Sequence, residues 1–227
     1  LTMKQQPLPL SENRLKVLDP AFDIQWTDVN ADGRADLLLT TSAQRDDEVE
    51  ARVDLFLTDA AGQWSDKPDK RLRMQPMARP PQVIDATGNG VKDLICVTLR
   101  TSAMAKLTNA GSGSFDAQVS IYGTEDGRFV TPSLLSRALP LATSAQLTKA
   151  FFVVRPGRRG RAGDVLLLID GHLERRFMNA NKSSLKLAQP DARTPVPPKA
   201  RILLCDELGD NILLITGSEV QHLRFRR

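Results

Sequence analysis

An all-β domain built from internal repeats is what this sequence predicts, and three observations predict it. Four segments share one grammar: an apolar strand, a loop containing Gly and Asp, then an Asp followed by an aliphatic run. Between them lie short β-rich runs separated by Gly/Asp turns, the pattern of antiparallel hairpins. No segment carries a long amphipathic helical pattern.

The first segment, residues 22–41, reads FDIQWTDVNADGRADLLLTT, and the second, residues 82–98, reads QVIDATGNGVKDLICVT. The third, residues 150–170, reads AFFVVRPGRRGRAGDVLLLID, and the fourth, residues 201–217, reads RILLCDELGDNILLITG. The Asp expected to open each second strand is Asp36, Asp93, Asp164 or Asp210; successive ones are 57, 71 and 46 residues apart. Spacing this loose suits a repeat with variable outer loops, such as a propeller blade, better than a tightly stacked solenoid.

The remaining strands follow in order. Val53-Asp54-Leu55-Phe56-Leu57 alternates in a strand-like way into a turn at 58–64, and Val119-Ser120-Ile121-Tyr122 runs into a turn at 123–129. Fourth strands are placed at Lys70–Met74, 134–138 and 184–187. Ile169-Asp170-Gly171-His172 and Thr216-Gly217-Ser218-Glu219 read as hairpin turns between the second and third strands of the last two repeats. Prolines, including Pro195, Pro197 and Pro198, are expected between blades, where Pro is tolerated. The chain is thus read as a single domain, 1–227, with blades at about 21–75, 81–140, 145–190 and 199–227. The last blade supplies three strands, and Arg14-Leu15-Lys16-Val17-Leu18, within 11–19, is expected as its outer strand. That pairing would close a ring of about four blades and remove exposed strand edges. The alternative is that the chain is part of a larger propeller.

Composition narrows the function classes. The chain has 227 residues, 41% hydrophobic and 26% charged, ordinary values for a globular protein with a substantial core. Its apolar runs are short, so no membrane span is expected. Its first residues show no basic n-region followed by an apolar h-region, so an exported form would have lost its leader. The net charge of +4 is concentrated in two clusters, 155–161 and 224–227, read as a solvated loop and a chain end. One Tyr and two Trp leave little with which to stack bases, so nucleic acid is not the expected partner. Cys96 and Cys205 sit in apolar runs and read as buried free thiols.

The motif that carries chemistry is the loop Asp28-Val29-Asn30-Ala31-Asp32-Gly33-Arg34-Ala35-Asp36. Side-chain oxygens of Asp28, Asn30 and Asp32 alternate so that they can converge on one centre, and Gly33 permits the sharp turn that follows. The carbonyl of Arg34 and the carboxylate of Asp36 complete an oxygen set suited to Ca2+. Without a cation the three carboxylates would repel one another. The first six residues match the start of an EF-hand, but the twelfth position is Leu39 rather than Glu, and helical flanks are missing. The second loop offers Asp85, Thr87, Asn89, the carbonyl of Val91 and Asp93, a weaker set with two carboxylates. In the third, Arg158, Arg159 and Arg161 occupy the corresponding stretch and argue against metal, either neutralising the site from within or lying in solvent. The fourth, 206–210, is too short for the pattern.

This nine-residue form with Asp at its ninth position resembles the FG-GAP (VCBS, integrin-α-like) propeller repeat. The likeness is specific at 28–36, fair at 85–93 and a strand-and-Asp echo around Asp164 and Asp210. The resemblance implies calcium held between the first and second strands of a blade. It also implies an extracellular, periplasmic or cell-surface setting, with protein or glycan partners on the ring face. The sequence reading is therefore a non-enzymatic binding or scaffold module. One rival is a lyase or hydrolase using the propeller channel; the other is a structural subunit of a larger extracytoplasmic assembly. No nucleophile elbow, phosphate loop, dinucleotide fingerprint or HExxH helix is present, and His172 and His222 read as surface residues.

Overall fold

The computed structural model describes residues 23–45, 48–99, 115–141, 152–157, 160–169, 171–181, 184–197, 201–204, 211–217 and 219–224. Among these the protein is all-β, with no helix, and it forms several small antiparallel sheets, none closed on itself. The first sheet orders β1 (Asp23–Thr27), β2 (Asp36–Arg45), β3 (Glu48–Phe56) and β4 (Lys70–Met74) as a simple meander. The second contains β5 (Gln82–Ile84), β6 (Asp93–Leu99), β7 (Phe115–Tyr122) and β10 (Leu135–Leu141). A small hairpin of β8 (Thr124–Glu125) and β9 (Arg128–Phe129) stands where the sequence predicted only a turn. The third sheet contains β11 (Phe152–Arg155), β12 (Asp164–Ile169), β13 (His172–Asn181) and β14 (Ser184–Pro195). The fourth has three strands, β15 (Arg201–Leu204), β16 (Asn211–Thr216) and β17 (Glu219–Arg224).

The aliphatic second strands explain why the sheets stack. A strand with one covered face alternates apolar and polar, whereas all seven residues of β6 are buried, so both of its faces are covered. Leu38, Val53 and Leu55 of the first sheet meet Leu94 and Cys96 of β6 and Phe129 of β9. Ile95, Val97, Val119 and Ile121 face the other way, onto Val154, Val165, Leu167 and Met178 of the third sheet. Val153, Leu166 and Leu173 then pack on Ile212 and Leu214 of the fourth. Cys96, inside the first of these interfaces, has its thiol pushed up to about 12 by burial; Cys205 lies outside the described residues.

Side-chain parity corrects one sequence reading. In the second and third sheets, residues one and three places after the opening Asp (Leu94 and Cys96, Val165 and Leu167) face the preceding sheet. In the fourth sheet Ile212 and Leu214 do so, and β16 begins at Asn211. Asn211, not Asp210, therefore occupies the opening position; period-two alternation fixes it to the residue. Two further boundaries move. β14 continues through Pro195, so the third repeat ends beyond 190, and Pro195 lies in a strand rather than between blades. It is tolerated because β14 is the outermost strand of its sheet. The predicted strand at 14–18 lies outside the described residues.

Candidate metal centre

Each of the first two loops leaves an edge strand, β1 or β5, and returns at a buried carboxylate, and their backbones follow the same path. Ala31 and Gly33 of the first loop have φ of 61° and 82°; Gly88 and Gly90, at the matching places of the second, have 75° and 90°. Asp28 opens the first loop by accepting the N–H groups of Asp32 and Gly33, and Asp85 likewise accepts those of Gly88, Asn89 and Gly90. Asp32 accepts the N–H of Arg34, and its counterpart Asn89 accepts that of Val91. These Asx turns account for the Asp/Asn/Gly spacing without any ligand. They also bring Asp28, Asn30 and Asp32 together: Asn30 accepts from the Asp32 N–H and donates to the Asp32 carboxylate.

Asp32 has its carboxyl held below the ordinary range, chiefly by the Arg34 N–H, with help from Asn30 and the Arg34 guanidinium. That guanidinium pairs with Asp32 at 2.5 Å, so the fifth loop position already has a cation beside it. Asp36 is fully buried and spends both oxygens on backbone donors, the N–H of Val29 at 2.9 Å and that of Thr58 at 2.9 Å. Burial nevertheless raises its pKa, since it outweighs those two hydrogen bonds.

Asp93 is served less completely. Its Oδ2 accepts the N–H groups of Ala86 and Thr87, both at 2.9 Å, while its Oδ1 is buried with no hydrogen-bond partner. The Thr87 hydroxyl, in the same loop, is also buried and makes no hydrogen bond of ordinary geometry, but it lies close enough to the Asp93 carboxylate to lower its pKa. Burial pushes the Asp93 carboxyl up to about 6, against the restraining effect of Thr87 and Ala86. A buried carboxylate with one oxygen unserved fits an oxygen-seeking cation. Among the described residues, however, no three His, Cys, Asp or Glu side chains gather into a metal-binding group. Any cation there would draw on hydroxyl, amide or carbonyl oxygens as well as carboxylates.

Two residues that the sequence reading passed over hold these loops in place. The Thr58 hydroxyl donates to the carbonyl of Ala35, and the Thr124 hydroxyl donates to that of Lys92, both at 2.6 Å. Ala35 and Lys92 each immediately precede the buried Asp, so the same bond recurs in both repeats. The signal was available: Leu57-Thr58-Asp59 and Gly123-Thr124-Glu125 follow the third strands at matching positions.

The third loop solves the same problem differently. Arg155 faces Asp164 directly across β11 and β12, where the first two sheets place Thr27 and Ile84 opposite Asp36 and Asp93. Its guanidinium Nε and Nη2 engage both oxygens of Asp164 in a buried pair. The sequence reading left Arg158, Arg159 and Arg161 either neutralising the site from within or lying in solvent. The first two lie outside the described residues, and Arg161 is exposed, so the internal cation is Arg155. The backbone of this loop is laced to the second by three bonds, from Gly157 N to Asp85 O, Gly160 N to Gly88 O and Gly163 N to Ala86 O. His172 and His222 contact Arg193 and Asn211 near the surface.

Searches of protein-family models, curated proteins and solved structures found no match to this chain.

Proposed function

We propose that this protein is a calcium-binding, FG-GAP-like β-propeller, or part of a larger one, that works as a non-enzymatic binding or scaffold module. In this reading the loops at 28–36 and 85–93 take Ca2+. The stacked sheets then present a stiffened surface to protein or glycan partners in an extracytoplasmic setting, where calcium is plentiful. The observation that carries the reading is the buried Asp93 Oδ1, left without a hydrogen-bond partner in a loop that repeats the hydrogen-bond scheme of the more acidic loop 28–36. Asp28, Asn30, Asp32 and Asp36 would hold the ion in the first loop with the carbonyl of Arg34, and Asp85, Thr87, Asn89 and Asp93 in the second with that of Val91. A divalent cation offsets carboxylate repulsion there, at the cost of the Arg34–Asp32 pair.

Thermal melts test the proposal. Calcium at about a hundred times its Kd should stabilise the folded state by about 2.7 kcal/mol, a rise on the order of 5–10 °C for a chain of this length. Asp32→Ala together with Asp93→Asn should remove most of that rise. Wild-type melts that superimpose in calcium and in chelator would overturn the proposal.

A further inference from the structure

Beside the Arg155–Asp164 pair the third repeat contains a cavity of about 200 Å3, lined in part by Gly157, Arg161, Gly163 and Phe177. This place lies outside the oxygen-rich loops and has the opposite chemistry. From Pro156 to Gly163 the chain offers no side-chain oxygen and carries three arginines, with Arg155 just before them. The cavity has a fixed frame. A Cβ on Gly163 would sit 1.9 Å from the carbonyl of Arg155, and one on Gly157 would sit 2.5 Å from that of Arg161, so neither wall can carry a side chain as built. Three backbone bonds to the second loop, and a fourth from Met178 N to Gly163 O, fix those walls in position.

The charges around the cavity do not cancel. Arg155 is matched by Asp164 and Arg175 by Asp191. Arg161 has no carboxylate partner among the described residues; its guanidinium lies over the Phe177 ring, 5.2 Å from the centroid, with Arg175 5.1 Å from the same centroid. Cation–π contact with the ring orients a guanidinium while leaving its N–H fork able to pair with a planar anion. We propose that this cavity is an oxyanion site, taking a carboxylate, sulfate or phosphate group with Arg161 as its pairing cation and Phe177 as the surface that orients it. The volume is below the roughly 300–1,000 Å3 of pockets for larger ligands, so a single charged group or one acidic sugar ring is the size that enters. The site uses none of the side chains proposed to hold calcium and would exist even if the first two loops bind no metal.

The test is calorimetric titration of the full chain in calcium-free, low-salt buffer with inorganic phosphate, sulfate and glucuronate as separate probes. At least one should bind saturably, with a Kd on the order of 1 mM, and weaken as salt rises. Arg161→Ala should weaken it by about tenfold or more, and Arg161→Lys by less, because lysine keeps the charge but not the fork. Arg73→Ala removes one positive charge beside Glu50, on the first sheet, and should leave the affinity within about twofold, as expected of a screened distant charge. Preference for glucuronate would assign the group to a sugar carboxylate, and preference for phosphate or sulfate to a tetrahedral anion; either supports the site. No saturable binding of any probe, or equal losses in Arg73→Ala and Arg161→Ala, would overturn it.

Discussion

The first and third loops make the instructive comparison, because their framework is the same and their electrostatics are opposite. In both, a carboxylate opens the second strand and is almost fully enclosed, as Asp36 and Asp164. In both, the carbonyl just before it accepts a hydrogen bond from the third-strand side, from the Thr58 hydroxyl just past that strand in one and from the N–H of Met178 within that strand in the other. Asp36 is stabilised by two backbone donors and is surrounded by further carboxylates. Asp164 is stabilised by a guanidinium built into the neighbouring strand. Asp93 stands between them, with one oxygen satisfied and one not. The comparison teaches that the first three sheets keep a buried anion at this place, where the fourth has Asn211, and leave the choice of countercharge to the local sequence.

Breaking the internal pair should have the largest effect. Arg155→Ala leaves Asp164 buried without its cation, and a loss of roughly 3–5 kcal/mol is expected from removing one partner of such a pair. The denaturant midpoint of calcium-free protein measures it. Calcium should not rescue the variant, since residues 156–163 offer no side-chain oxygen to share the ion. The double variant Arg155→Met, Asp164→Leu should recover most of the loss, because it removes the charge along with its partner. A single variant within about 1 kcal/mol of wild type would mean that Asp164 is satisfied in some other way, and the contrast between the loops would collapse.

A smaller effect sharpens the same comparison at Asp93. Its folded pKa of about 6 lies above the ordinary carboxylate value, so the folded state holds its proton more tightly than the unfolded chain does. The resulting stabilisation is fully present below the unfolded value near 3.8 and is lost as pH rises through about 6. Calcium-free wild type should therefore lose about 1 kcal/mol more than Asp93→Asn between pH 5 and pH 7.5, measured by parallel denaturant melts. Parallel pH curves for wild type and Asp93→Asn would show that Asp93 is better solvated than its surroundings indicate.

Much of this architecture was legible in the sequence, for a physical reason. A strand covered on both faces is apolar at nearly every position, so the run Leu94-Ile95-Cys96-Val97 marks a central strand between stacked sheets. The turns at 170–171 and 217–218 were marked by Gly, which takes the left-handed conformation at both Gly171 and Gly217. The role of Arg155 was not legible, because it follows from cross-strand register, and register is set by pairing rather than by any local motif. For the same reason Asp210 stood in for Asn211: the two are adjacent, and only the direction of Ile212 and Leu214 distinguishes them. The coordinating pattern at 28–36 was easy to find, yet the Asx turns seen there use the same residue types that a metal loop uses. Composition alone does not separate the two.

The smallest expected effect tests whether the first two loops share one backbone. Ala31 has φ of 61°, in the left-handed region, where the second loop has Gly88 at 75°. An L-residue there brings its Cβ too close to the neighbouring carbonyl, a strain of roughly 1–2 kcal/mol. Ala31→Gly removes the strain but gives the unfolded chain more freedom, which returns part of the gain. A net stabilisation of about 0.5–1 kcal/mol is expected, read from the denaturant midpoint without calcium. Gly90→Ala is a companion experiment at the second left-handed place of the loop, where the first loop has Gly33. Gly90 has φ of 90°, and an added Cβ meets nothing within 4 Å, so its cost reports backbone strain alone. That variant should lose about 1 kcal/mol or slightly more. Opposite signs at 31 and 90 would support one loop geometry used twice. A destabilised Ala31→Gly would mean that the first loop does not hold the left-handed turn its neighbour uses, and the equivalence of the two loops would fail with it.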